Sequence, residues 1–224
     1  MRVQELHPWD VSPEEAEAIQ RRMASMVSQK NCVEYPRHIA GVDVSVYGVR
    51  GVPMAAAVVL TYPDLKMLEV RAVEGEMKFP YRPGLLSFRE APLILAACEQ
   101  LSTTPDLIMV DGQGFAHPRR LGLACHIGVI LDVPTIGCAK SILCGKHAAL
   151  GEVEGNWTEL IDDAGVIGAA VRTKAGAKPI YVSVGHKVDL TSAVSLTLKC
   201  CRGRRLPEPT RMAHLAAAGV IPAT

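Results

Sequence analysis

Zinc sites, disulfide frameworks, membrane spans and signal peptides each leave marks that this sequence lacks. None of its seven cysteines is spaced C-x-x-C, their number is odd, and Cys200 and Cys201 are adjacent. That pattern predicts reduced, mostly buried thiols and no zinc site. No apolar run approaches the ~20 residues of a membrane span. The opening MRVQELHPWD carries no apolar signal segment, which predicts a cytoplasmic protein without a membrane partner. A surplus of one charge is missing too. The formal net charge is +1, so any nucleic-acid surface has to be a local patch. There is no internal repeat, linker or low-complexity tract. With 224 residues, 49% hydrophobic and 21% charged, the chain predicts one globular domain spanning 1–224.

What is there centres on Pro105 to Gly122, PDLIMVDGQGFAHPRRLG. Leu107 to Val110 form an apolar run that predicts a strand buried on both faces. It stops at Asp111, followed by Gly112, Gln113 and Gly114. A carboxylate at a buried strand end, beside glycines that admit a ligand to the backbone, suits a metal or a phosphate. An ordinary strand-to-helix turn, with Asp111 capping the next helix, fits the same spacing. His117, Arg119 and Arg120 lie close behind. Asp43 poses a similar choice inside the predicted strand His38–Val46. An acid there is either solvated by alternation, or buried at a cost of several kcal/mol unless it is paired or binds a cation.

The other elements follow from caps and periodicity. Ser12-Pro13-Glu14-Glu15 starts a packing helix that runs to about Gln29. Strands at 54–61 and 66–73 join the first in an antiparallel meander. In MKFPYRPGLLSFRE, Pro80 and Pro83 stiffen a loop that carries Tyr81, either a stacking wedge for a base or a tyrosine tucked against the body. A helix follows at 87–101, where Glu90 is either half of a capping box with Ser87 or a third carboxylate. A helix over 118–131, a strand over 134–138 and then Lys140 come next. Lys140 is either solvated or set to meet a phosphate. The stretch 145–173 predicts a hairpin-like insertion without chemistry. A strand at 179–184 and a helix at 189–201 lead into Lys199, Arg202, Arg204 and Arg205, which form a local basic patch or simply complement the helix dipole. Pro207 opens a last helix that carries Arg211 and His214.

Three strands, a helix, a buried strand, a helix and a short strand make the layout of a ribonuclease H-like α/β fold. Such a fold has a central mixed sheet of at least five strands flanked by helices. VDVS at Asp43, PYRPGLLSFRE, DGQGFAHPRRLGLA, PTIGCAK and PEPTRMAH together resemble endonuclease V from about residue 30 onward. The resemblance implies a DNA-repair nuclease for deaminated bases, chiefly inosine, that cuts the second phosphodiester bond 3′ to the lesion and leaves a 3′-hydroxyl and a 5′-phosphate. It implies Mg²⁺, with Mn²⁺ as a substitute, on Asp43, Glu90 and Asp111. Lys140 matches the active-site lysine, Tyr81 the wedge and His117 a motif histidine. His214 stands at a fourth active-site position where some relatives carry aspartate. Pro80, Pro83, Gly84, Gly112 and Gly114 are expected to shape the base pocket. The expected partner is inosine-containing DNA, with RNA left open, and the expected state a monomer. Another ribonuclease H-like nuclease without a lesion pocket, and an inosine-binding protein that does not cut, are the rival readings.

Overall fold

The computed structural model of the chain describes residues 1–48 and 50–221. Helix α1 (Pro13–Met23) starts at the expected capping box, with the Ser12 hydroxyl accepting from the Glu15 amide at 3.2 Å and the Glu15 carboxylate accepting from the Ser12 amide at 2.7 Å. It passes into a short 3₁₀ turn, Ala24–Met26, and so ends earlier than expected. The strands are β1 (His38–Ser45), β2 (Met54–Thr61), β3 (Met67–Glu74), β4 (Leu107–Val110), β5 (Thr135–Ala139), β6 (Lys146–His147), β7 (Trp157–Asp162), β8 (Gly165–Val171) and β9 (Ile180–His186). The remaining helices are α2 (Leu86–Glu99), α3 (Leu123–Leu131), α4 (Leu190–Lys199) and α5 (Glu208–Ala217).

The nine strands among the described residues lie in one mixed sheet, in the order β3-β2-β1-β4-β5-β9-β8-β7-β6. The first three form the expected antiparallel meander, and β4 and β5 run parallel to β1. This is the ribonuclease H-like arrangement. Helices cover both faces, which is why β2 and β4 are apolar along nearly their whole length. Helices α1, α2 and α3 pack over Ala40, Val42, Ala57, Ile108 and Val110. On the other face, α4 packs over Leu107, Met109 and Ile136, and α5 over Ala56, Val58 and Leu60. The seven cysteines are free thiols, five of them buried. No helix among the described residues is long and apolar enough to cross a membrane.

Two expectations need correction, and one alternative is ruled out. Helix α3 starts at Leu123, not at 118, because the HPRR segment is held as a loop. Arg120 takes a left-handed φ of 57°, and the Gln113 and Gly114 carbonyls accept from Ala124 and Gly122 at 3.0 Å each. Asp111 therefore caps nothing, since the N-cap is Gly122. The stretch 145–173 holds the expected hairpin, β7 paired antiparallel with β8, but it is more than an insertion: β6, β7 and β8 extend the central sheet through β9. Finally, Ser87 and Glu90 form no capping box. The N-cap of α2 is Leu85, with no side-chain cap, and the Ser87 hydroxyl bonds the buried His126 ring at 3.0 Å instead.

Candidate active site

The parallel register sets the site. Val42 of β1 pairs with Val110 of β4, so the next residues along, Asp43 and Asp111, emerge side by side. Strand β5 ends beside them and delivers Lys140, which makes an ion pair with Asp111. Three parallel strands thus end at one edge, the usual place for a ligand in such sheets. Helix α5 reaches this edge from the far face because Gly41, two residues before Asp43, has no Cβ. One built there would lie 1.8 Å from the Pro209 carbonyl oxygen. This close seat brings Nδ1 of His214 to 2.8 Å from Oδ2 of Asp43, whose other oxygen accepts from the Val44 amide at 2.8 Å.

Ligand atoms of Asp43, Asp111 and His214 all lie within 4.8 Å of one another. Glu90, on α2, stands beside this trio and is not part of it, though its charge is felt. Burial, then the charges of Asp43 and Asp111, push the Glu90 carboxyl up to about 8. Burial, then Asp111, push Asp43 up to about 6, against the hydrogen bond from His214. Carboxyls crowded this closely repel in their charged forms. Hard oxygen donors with one imidazole, gathered where anionic charge is costly, fit a divalent cation.

A cleft of about 280 Å³ adjoins the trio. Its walls are the segment from Tyr81 through Gly84 to Ser87 on one side and Asp111 to Gln113 with Leu123 on the other, closed by Lys140 to Leu143. Tyr81 is 69% exposed at the rim, held between Pro80 and Pro83. Pro83 lines the cleft, whereas Pro80 faces an outer groove with Trp9 and Phe79.

Of the expected pocket glycines, Gly84 and Gly112 line the cleft. Gly114 is buried, and its missing Cβ makes room for the Val184 carbonyl oxygen, 2.1 Å from where it would sit. Its amide donates to the Ser183 hydroxyl at 2.9 Å, so Gly114 seats the loop on β9. His117 is only 2% exposed. Its Nδ1 accepts from the Arg119 amide at 3.1 Å, which leaves Nε2–H to donate to the Gly84 carbonyl at 2.9 Å. Burial, then the cations Arg119 and Arg120, push this imidazole down to about 4. His117 thus lines the cleft and also braces its Gly84 wall.

The basic run near the end of α4 is also engaged internally. Arg202 binds the Pro63 and Asp64 carbonyls, Arg204 pairs with Glu208 at 3.3 Å, and Arg205 donates to the carbonyls of Lys140, Lys178 and Pro179. Arg205 thereby steadies the backbone beneath Lys140. Sequence reasoning missed Gln20, a fully buried amide of α1 that touches both cleft walls, and His7, whose ring meets His126 at 2.6 Å. Nothing in an amphipathic helix or an N-terminal arm marks such partners.

The profile of the endonuclease V family matches residues 21–215. Endonuclease V of Dehalococcoides mccartyi is 48% identical over 221 residues, 99% of both chains. The crystal structure of endonuclease V from Streptomyces avermitilis superposes with a TM-score of 0.89 at 40% identity, covering 98% of this chain and 97% of that one. Endonuclease V from Ciona intestinalis, solved in complex with a 24mer DNA containing an inosine followed by a ribo-adenosine, superposes with a TM-score of 0.80 at 25% identity, over 92% of this chain and 96% of that one. With a profile match that runs from α1 into α5, and a relative aligned along nearly its whole length, the chain belongs to the endonuclease V family of nucleases.

Proposed function

We propose that the protein cuts nucleic acid beside deaminated bases, chiefly inosine, with Mg²⁺, or Mn²⁺ in its place, held by Asp43, Asp111 and His214 with Glu90 close by. The cut falls at the second phosphodiester bond on the 3′ side of the lesion, as a step in DNA repair. Water adds to phosphorus, the P–O3′ bond breaks and the leaving oxygen takes a proton, which gives a 3′-hydroxyl and a 5′-phosphate. One observation carries this reading: Asp111 belongs both to the acid trio and to the cleft wall. A base lodged in the cleft therefore draws its own strand across the carboxylates. The inosine-containing DNA bound by the Ciona relative supports the choice of lesion.

Bound at the trio, a divalent cation supplies Lewis-acid polarisation of the phosphate and a more acidic water. The chain's own residues do the rest. Lys140 orients Asp111 and brings positive charge to the phosphate. The first turn of α2 has no side-chain cap, and its residues Leu86 and Ser87 line the cleft, so backbone donors face a bound base. Hypoxanthine offers an acceptor at its 6-position and lacks guanine's exocyclic amine, which suits a narrow wall with such donors. Extruding the base costs a few kcal/mol, less for a poor pair, and Tyr81 is placed to fill the gap.

The test is nicking of an inosine duplex, a matched duplex without inosine and a matching inosine RNA strand, each with Mg²⁺ and with EDTA. Metal-dependent nicking of the inosine substrates alone is the expected result. Equal cutting of the lesion-free duplex would favour a structure-specific nuclease, and binding without cutting would favour an inosine reader.

A further inference from the structure

We infer that Gln20 sets the spacing of the two cleft walls and so acts as a positioning residue for base selection. The inference rests on the cleft being the lesion pocket. Gln20 sits on α1, ahead of the family-matched region, and its side chain is 0% exposed. Its single Nε2 donates to the Gly84 carbonyl on one wall at 3.0 Å and to the Leu121 carbonyl, behind the other wall, at 3.1 Å. Its Oε1 accepts from Nε of Arg119 at 2.6 Å. Both N–H bonds and the oxygen of this buried amide are thus in use, as a buried amide requires.

The same carbonyl of Gly84 also receives Nε2–H of His117 at 2.9 Å and Nη2–H of Arg119 at 2.8 Å. Three donors converge on one oxygen. Gly84 itself holds a left-handed φ of 79°, and a Cβ there would lie 2.8 Å from the Arg119 guanidinium. The hairpin of chain from Tyr81 to Gly84 is thus pinned at its end. Arg119 is tied back to α1 a second time, with Nη1 3.4 Å from the Glu17 carboxylate. Gln20 differs from His117 and Arg119 in that a single nitrogen bonds a carbonyl on each side of the cleft. Its two N–H bonds leave one nitrogen at a fixed angle, so the separation of the two carbonyls follows from the geometry of one amide. A pocket that separates hypoxanthine from a larger or differently polar base needs such a fixed width.

Gln20→Glu and Gln20→Met test the bridge. The carboxylate keeps the volume and the Arg119 contact but turns lone pairs toward two carbonyls. Methionine removes both donors. In either folded variant the dissociation constant for an inosine duplex rises roughly tenfold, and preference for inosine over adenosine falls with it. The single-turnover rate at saturating enzyme stays within about twofold, because Asp43, Asp111 and Lys140 are untouched. Wild-type affinity and preference in a folded variant, or a loss of rate with affinity intact, overturns the proposal. A wild-type enzyme with no preference for inosine instead sinks the functional reading itself. Should neither variant fold, the wild-type protein decides. The Gln20 side-chain amide resonances shift when an inosine oligonucleotide fills the cleft, and unchanged resonances overturn the bridge.

Discussion

Asp111 answers to Lys140, to the acid trio and to the cleft wall, and substitution separates these roles. Asp111→Asn keeps the shape but removes an anionic ligand and an ion-pair partner. Nicking falls to background while inosine binding largely survives, measured by single-turnover cleavage and by titration with Mg²⁺ withheld; near wild-type nicking would remove Asp111 from the mechanism. His117 makes a different prediction. Unfolded, its imidazole takes a proton near 6.5; folded, it refuses one until about 4. Between those values the unfolded chain binds more protons, so the stabilisation is complete above 6.5 and drains away as pH falls toward 4, by up to about 3 kcal/mol. Protonation would also set Nδ1–H against the Arg119 amide. His117→Asn has no ring to titrate, so its stability gap from wild type is wide at pH 7 and narrows at pH 4.5 in urea unfolding. A gap independent of pH would show that His117 does not titrate in this window. Residues of the first kind were legible in the sequence because Asp43, Asp111 and Lys140 interrupt or end apolar strands, where a charge demands a reason. Gln20 was not, because its partners lie 64 and 101 residues away and only burial reveals them.

Elements were legible where burial on both faces wrote continuous apolar runs, as in β2 and β4, and where a cap was local, as at Ser12. They were misread where tertiary contacts override local signals. Pro118 and the arginines after it look like a helix start, yet backbone bonds from Gly122 and Ala124 hold that stretch as a loop. Strand β7 is half exposed, so its alternation resembles an excursion, not the outer part of a sheet. The seat of α5 was equally hidden, since a glycine in a strand says nothing of the helix that will lie on it. Gly41→Ala places a methyl against the Pro209 carbonyl and pushes α5 outward. The expected cost is about 1–3 kcal/mol in stability, with a drop in turnover as His214 leaves Asp43. Unchanged unfolding and unchanged turnover would mean that α5 is loosely seated. His214 can be tested alone: His214→Ala lowers turnover and His214→Asp, which restores a ligand oxygen, retains more of it. Equal rates for both variants and wild type would make this histidine structural only.

With a net charge of +1, and with Arg202, Arg204 and Arg205 tied to carbonyls and to Glu208, the molecule as a whole attracts nucleic acid weakly at long range. Recognition then depends on contacts made at the cleft, and the exposed ring of Tyr81 is the largest available at its rim. In a duplex, extruding inosine leaves a gap between stacked neighbours, and an aromatic inserted there recovers ~1–3 kcal/mol. The ring stands on a loop stiffened by Pro80 and Pro83 and pinned at Gly84, so little ordering remains to be done on binding. A single strand has no intact stack to refill. Tyr81→Ala therefore weakens binding to an inosine duplex by roughly ten- to a hundredfold and binding to an inosine single strand distinctly less. Tyr81→Phe behaves nearly as wild type, because stacking uses the ring and not the hydroxyl. Dissociation constants of the three proteins on both substrates, at one salt concentration, decide the matter. Equal losses on duplex and single strand would mean that Tyr81 touches the lesion or the backbone directly and is no wedge.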